Sequence, residues 1–152
     1  MNCKRTLLAL VITALLLSPM QAMSAGADSR TIEGIWEVTV NLNDPNLPPS
    51  FEALETYSRG GGFITSNNMP FLTRVGQGAW EKVGNQYFVK IKFFKFDENG
   101  LHSGTITVTH TVTLNGKDEY TGAGTAVLCG PDGTTCLSVD FDTVGRRLTA
   151  EP

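Results

Sequence analysis

Residues 102–114 read HSGTITVTHTVTL, and this stretch decides the fold class. Threonine occupies every second position from 105 to 113, and the residues between are mostly apolar. Alternation with a period of two is typical of a β-strand with one buried and one exposed face. The inward set is expected to be Ile106, Val108, His110, Val112 and Leu114.

Strands of similar length follow one another along most of the chain. Turn sequences such as Asn115-Gly116-Lys117 separate them, and no segment has a convincing helical period. The pattern therefore predicts an all-β barrel or sandwich. The predicted strands cover residues 33–42, 51–59, 61–67, 75–83, 86–96, 102–114, 118–129 and 135–143.

The first 27 residues have the composition of a secretory signal peptide. Lys4 and Arg5 form a basic start, residues 7–17 are apolar apart from one threonine, and Ala25-Gly26-Ala27 offers a cleavage site. The apolar run is too short to span a bilayer, so we expect no membrane span. Residues 28–152 would then form a single β-barrel domain that is periplasmic or secreted.

The charge of the chain excludes two classes of partner. Loss of Lys4 and Arg5 with the signal peptide would change the net charge from −3 to −5. The remaining charges are scattered and form no basic stripe that could follow a phosphate backbone. Nucleic acids and anionic membrane surfaces are therefore not expected to be partners.

Two cysteines, Cys129 and Cys136, lie on either side of a short segment with the turn signal Pro131-Asp132-Gly133. In an oxidising compartment, two cysteines that close one hairpin are expected to form a disulfide. Their spacing fits neither a redox motif nor a zinc site, and the sequence predicts no metal and no cofactor.

The hairpin that contains these cysteines also fixes which side chains face inward. Leu137, Val139 and Phe141 are expected to point into the fold, so both cysteines should point outward. Two inward glycines supply little volume, so the interior either contains a ligand-sized cavity or is filled by large side chains from across the fold. The inward row of the preceding strand would be Tyr120, Gly122, Gly124, Ala126 and Leu128.

His110 is the one ionisable side chain that the alternation clearly places inside. Tyr87 and Tyr120 are expected on the same inner surface, and the turn lengths would set His110 across from Tyr87 or Val89 and beside Gly122. The first interpretation is a neutral histidine that is hydrogen-bonded to a tyrosine. The alternatives are contact with a ligand, proton transfer and haem ligation.

The loop over residues 68–74 contains unusually apolar residues, among them Met69, Phe71 and Leu72. These side chains either fold into the core or form a lid over the mouth of a barrel, and we favour the lid. The candidate ligand-binding residues are His110, Tyr87, Tyr120, Gly122, Gly124, Met69 and Phe71.

The two ends of the chain fit a closed barrel. Gly34-Ile35-Trp36 opens the first strand, a long loop follows it, and Arg146 and Arg147 lie near the end. With the eight-strand meander, these features resemble the calycin superfamily of lipocalin-like and avidin-like barrels. A second Gly-x-Trp motif, Gly78-Ala79-Trp80, is similar to one in small exported bacterial barrels.

The resemblance implies an eight-stranded antiparallel up-and-down β-barrel. It also implies that Trp36 plugs one end and that Arg146 or Arg147 packs over the indole in a cation–π contact.

Three functions are compatible with the sequence. The first is an exported barrel that binds a small hydrophobic or amphipathic molecule in its interior, and this is the function we expect. The second is a protein-interaction or inhibitor module with a filled core. The third is an isomerase or cyclase that uses the barrel interior. The chain contains no catalytic signature, so binding is favoured over catalysis.

Overall fold

The computed structural model describes residues 31–69 and 75–150, and these form a closed barrel of eight antiparallel strands. Each strand pairs with its neighbours in the chain, and β8 pairs with β1. The predicted eight-stranded up-and-down barrel is therefore confirmed. The strands are β1 Gly34–Leu42, β2 Ser50–Tyr57, β3 Gly62–Asn67, β4 Val75–Val83, β5 Gln86–Phe96, β6 His102–Leu114, β7 Glu119–Cys129 and β8 Cys136–Arg147.

The last strand is longer than the sequence predicted. It continues beyond Thr143 to Arg147 because β1 supplies a partner from Phe141 to Arg147, with Val38 opposite Gly145 and Trp36 opposite Arg147. Gly145 is required here, since a Cβ atom at this position would overlap the ring of Tyr120. The strand thereby places both arginines in the barrel wall.

One face of each strand supplies the core. The expected inward set of β6 is buried from Ile106 to Val112, and Leu114 is partly buried at its end. Among the described residues, no helix is long and apolar enough to cross a membrane. The buried apolar residues are Ile32, Trp36, Val38, Val40, Ala53, Tyr57, Phe63, Tyr87, Val89, Ile91, Phe93, Ile106, Val108, Val112, Tyr120, Val139 and Phe141.

Trp36 closes one end of the barrel, which we call the plugged end. Its side chain is fully buried, and its indole N–H donates a hydrogen bond to the Ile32 carbonyl at 2.8 Å. The Arg147 guanidinium lies 4.2 Å from the centre of the indole ring, in a cation–π contact. Gly34 makes room for it, since a Cβ atom there would lie 2.6 Å from Nη1 of Arg147.

The same guanidinium ties three chain segments together. It donates hydrogen bonds to the carbonyls of Thr31 and Glu33 at 2.7 Å each, and to that of Lys117 at 2.8 Å. Arg146 instead points away from the barrel, 77% exposed, with Nε 3.8 Å from Glu119. Of the two candidate arginines, Arg147 therefore covers the tryptophan.

The opposite end, which we call the mouth, is surrounded by longer connections. These are residues 43–49, the described part of the β3–β4 loop at 68–69, and the turns at 97–101 and 130–135. The predicted disulfide between Cys129 and Cys136 is confirmed, and it closes the β7–β8 hairpin at this end. The proposed signal peptide and Phe71 lie outside the described residues.

The two neighbouring arginines form a matched pair for a test of the plug. Arg147→Ala should lower the free energy of unfolding by about 2–4 kcal/mol, because it removes the cation–π contact and leaves three carbonyls without their donor. It should also change the fluorescence of Trp36. Arg146→Ala, at an exposed site, should change stability by less than about 0.5 kcal/mol. Equal effects in urea titrations of the two variants would contradict the role of Arg147.

Candidate functional site

A cavity of about 410 Å³ lies between the Trp36 plug and the mouth. This volume is within the usual range for small-molecule sites. Its polar lining residues are Asn46, Glu55, Thr65, Asn67, His110 and Thr143. Its apolar lining residues are Val40, Leu42, Leu47, Pro48, Phe51, Ala53, Met69, Ile91, Phe93, Ile106, Val108, Ala126, Leu128, Val139 and Phe141.

The cavity exists because several inward positions carry short side chains. Ala53 on β2 and Ala126 on β7 leave space that a leucine would occupy. Toward the plugged end this space is filled, because the rings of Trp36 and Tyr120 pack 5.0 Å apart. The interior is thus packed at one end and hollow at the other.

Glu55 is the most unusual residue of the lining. It lies on β2 opposite Trp36 of β1, and only 4% of it is exposed. Tyr57 and Tyr120 both donate hydrogen bonds to Oε2 of this carboxyl, at 2.9 and 2.7 Å. The other oxygen, Oε1, receives no hydrogen bond from any described residue. Half of a buried carboxyl group therefore has no hydrogen-bond partner among the described residues.

Burial and hydrogen bonding shift the pKa of Glu55 and those of the two tyrosines that contact it. Burial raises the pKa of the Glu55 carboxyl above the usual value, and the hydrogen bonds from Tyr120 and Tyr57 act in the opposite direction. Burial, together with the nearby carboxyl, raises the pKa of both tyrosines well above the usual value. Both phenols therefore remain protonated and act as hydrogen-bond donors.

His110 on β6 also lines the cavity, and its side chain is neutral. Its Nε2 is 2.9 Å from Oγ1 of Thr143, and its ring centre is 5.5 Å from that of Phe141. Burial lowers the pKa of the imidazole to about 4. The prediction that His110 is hydrogen-bonded to a tyrosine is wrong, because the Tyr120 hydroxyl donates its hydrogen bond to Glu55.

The glycines of β7 explain the actual partner of His110. A Cβ atom at Gly122 would overlap both the imidazole Nε2 and the Thr143 hydroxyl. Without it, the imidazole reaches across β7 to a residue on β8. The predicted register was also wrong by two residues: His110 faces Gly124, because the three-residue β6–β7 turn lies one position later, at 116–118, where the Asn115 N–H donates to the Glu119 carbonyl. On the other side, His110 lies opposite Val89 of β5, which was one of the two predicted alternatives.

Gly122 and Gly124, two of the candidate ligand-binding residues, lie beside filled space. The rings of His110 and Phe141 fill that space, and neither Gly122 nor Gly124 lines the cavity. The hollow part of the barrel lies nearer the mouth.

The other candidate residues are divided between the two ends. Met69 and His110 line the cavity. Tyr87 packs beside Trp80, with ring centres 5.8 Å apart, and Tyr120 packs on Trp36. Both tyrosines lie below the cavity, although the Tyr120 hydroxyl reaches Glu55. Phe71 is outside the described residues.

Sequence reasoning missed Glu55, although a signal was present. The apolar residues of β2 at one parity are Phe51, Ala53 and Tyr57, and this parity also contains Glu55. Leu54 is the apolar residue of the other parity, and it is 47% exposed. Because three apolar residues share the face of Glu55 and one apolar residue lies on the other face, the pattern indicated that the Glu55 carboxyl points inward. A charged residue on a core face is unusual, however.

The described residues contain no group of three or more histidine, cysteine, aspartate or glutamate side chains that could hold a metal ion. Comparisons with protein-family models, with curated proteins and with solved structures found no match. The function is therefore argued from the chemistry of the cavity.

The packing around Gly124 can be tested by adding one methyl group. Gly124→Ala should lower the free energy of unfolding by about 1–3 kcal/mol, because the new Cβ would meet the Thr109 carbonyl and the ring of Phe141. Ala123→Gly on the exposed face of the same strand is the control for backbone flexibility. A Gly124→Ala variant as stable as the wild type would show that the space is open.

Because His110 is buried as a neutral side chain, the stability of the barrel is expected to depend on pH. The pKa of His110 is about 4 in the folded barrel and near 6.5 in the unfolded chain. Its contribution is therefore complete above pH 6.5 and is lost as the pH falls toward 4, by up to about 3 kcal/mol. In urea titrations, His110→Gln should lose less stability than the wild type over this interval. Parallel curves would show that His110 is not buried as a neutral group.

Proposed function

We propose that this protein is an exported, calycin-like barrel that binds a small hydrophobic or amphipathic molecule in its interior. The single observation that carries the proposal is the apolar cavity of about 410 Å³ above the Trp36 plug. A buried apolar wall with a few polar groups is the usual composition of a small-molecule site. The Cys129–Cys136 disulfide is compatible with export.

The position of the cavity supports entry from the mouth. Leu47 and Pro48 of the β1–β2 loop and Met69 of the β3–β4 loop contribute to its lining. Loops adjust more readily than barrel strands, so these segments are suited to open for a ligand and to cover it afterwards. The lid proposed from the sequence includes Met69, and its other two apolar residues, Phe71 and Leu72, lie outside the described residues.

The alternatives are less well supported. An interaction or inhibitor module needs no internal space, and a hollow interior lowers stability. A cavity is therefore better explained by a function that uses the space. An isomerase or cyclase would use Glu55 and His110 as acid and base. Both groups line the cavity, but no hydrogen bond joins them: Glu55 is bonded to two tyrosines and His110 to Thr143.

The binding proposal can be tested with the neutral dye N-phenyl-1-naphthylamine. The wild type should bind it with an increase in fluorescence. Ala126→Leu should reduce the affinity by about tenfold or more while the melting temperature is held or raised, because the leucine fills existing space. Ala123→Leu, on the outer face of the same strand, is the matched control and should bind normally.

Absence of dye binding by the wild type would refute the proposal. Equal binding by the two leucine variants would show that the dye lies elsewhere than in the cavity.

A further inference from the structure

The polar groups of the cavity and the charges around its mouth indicate the chemical class of the ligand. We infer that the ligand is an amphipathic amine, whose protonated amino group pairs with the Glu55 carboxylate while its apolar part fills the cavity. This inference rests on the proposed function and names the head group of the ligand. It is carried by the unpaired oxygen of Glu55 and by the charges around the mouth.

The first argument is the missing counter-charge. No lysine or arginine lines the cavity within the described part of the chain. Arg147 lies over the indole of Trp36 and donates to three backbone carbonyls. An ionised carboxylate in such surroundings is costly unless a cation pairs with it. An ammonium group supplies this cation and donates to Oε1, whereas a ligand carboxylate would meet a like charge.

The second argument is the distribution of charge between the two ends. The described loops around the mouth contain four acidic residues and no basic one: Asp44, Asp97, Glu98 and Asp132. Lys95, at the end of β5, offsets part of this charge, and the β3–β4 loop carries one basic residue, Arg74, outside the described residues. The turns of the plugged end contain two basic residues, Arg59 and Lys117, and one acidic residue, Asp118. A field of this sign concentrates cations at the mouth and repels anions.

The remaining polar groups of the site are compatible with a cation. His110 is the other ionisable side chain in the described lining, and its pKa of about 4 keeps it uncharged near neutral pH. Tyr57 and Tyr120 are the titratable groups in contact with Glu55, and both act as neutral donors. Where Glu55 is protonated in the empty barrel, its proton passes to solvent as the ammonium ion binds.

Three ten-carbon ligands distinguish a cationic, a neutral and an anionic head group: decylamine, 1-decanol and decanoate. Their affinities are measured with the full-length protein by displacement of N-phenyl-1-naphthylamine. Decylamine should bind about tenfold or more tightly than 1-decanol, and decanoate should bind most weakly. Glu55→Gln should abolish the advantage of the amine over 1-decanol. The melting temperature of the variant is the control for its folding.

The pH dependence gives a second readout that needs no variant. Between about pH 5.5 and about pH 8, decylamine stays protonated, as do the two tyrosines, while His110 stays neutral. Among the groups that face the ligand head, this leaves Glu55, whose carboxyl has a raised pKa because it is buried, as the group whose charge depends on pH. Decylamine should therefore bind more tightly as the pH rises. At the acidic end, calorimetry in buffers of different ionisation enthalpy should detect proton release for decylamine and none for 1-decanol.

Each contrary result has one meaning. If 1-decanol or decanoate binds as tightly as decylamine, the amine inference fails and the binding function stands. If decylamine binds best but keeps its advantage over 1-decanol in Glu55→Gln, Glu55 is not its partner and the inference fails. If neither the dye nor any of the three ligands binds, the proposed function fails with it.

Discussion

The contact between Arg147 and Trp36 organises one end of the barrel, and the cavity depends on it. The Arg147 guanidinium lies 4.2 Å from the centre of the Trp36 indole ring, and hydrogen bonds to three backbone carbonyls hold it in this position. Because the contact joins β1 to β8, it forms only when the barrel closes. A large buried ring then seals this end, so that the space above it can be reached only from the mouth.

Small residues decide how that space is divided. On β7, the glycines at 122 and 124 let His110 and Phe141 fill the middle of the barrel. Closer to the mouth, Ala53 and Ala126 face no side chain large enough to fill the interior, and the cavity results. Its one strongly polar feature is the Glu55 carboxyl, of which two tyrosines satisfy a single oxygen. A binding site with an apolar wall and one polar anchor is the simplest use of this arrangement.

The sequence predicted the parts of this structure that depend on local pattern. The bounds of β4, β5 and β6 and the disulfide follow from alternation and turn residues. The side of β2 that faces inward depends on its register with β1 and β3, which a long loop and a flexible glycine turn leave open. Glu55 was therefore missed. The partner of His110 was missed because it lies two strands away, beyond positions that have no side chain.

Xenon offers the most direct test of the hollow interior, because it enters dry apolar cavities and needs no knowledge of the natural ligand. A crystal of the protein under xenon pressure should show anomalous density inside the barrel, beside Phe93, Val108 and Phe141. An interior without xenon, occupied instead by Leu47 or Phe51 folded inward from the mouth, would contradict the existence of the cavity.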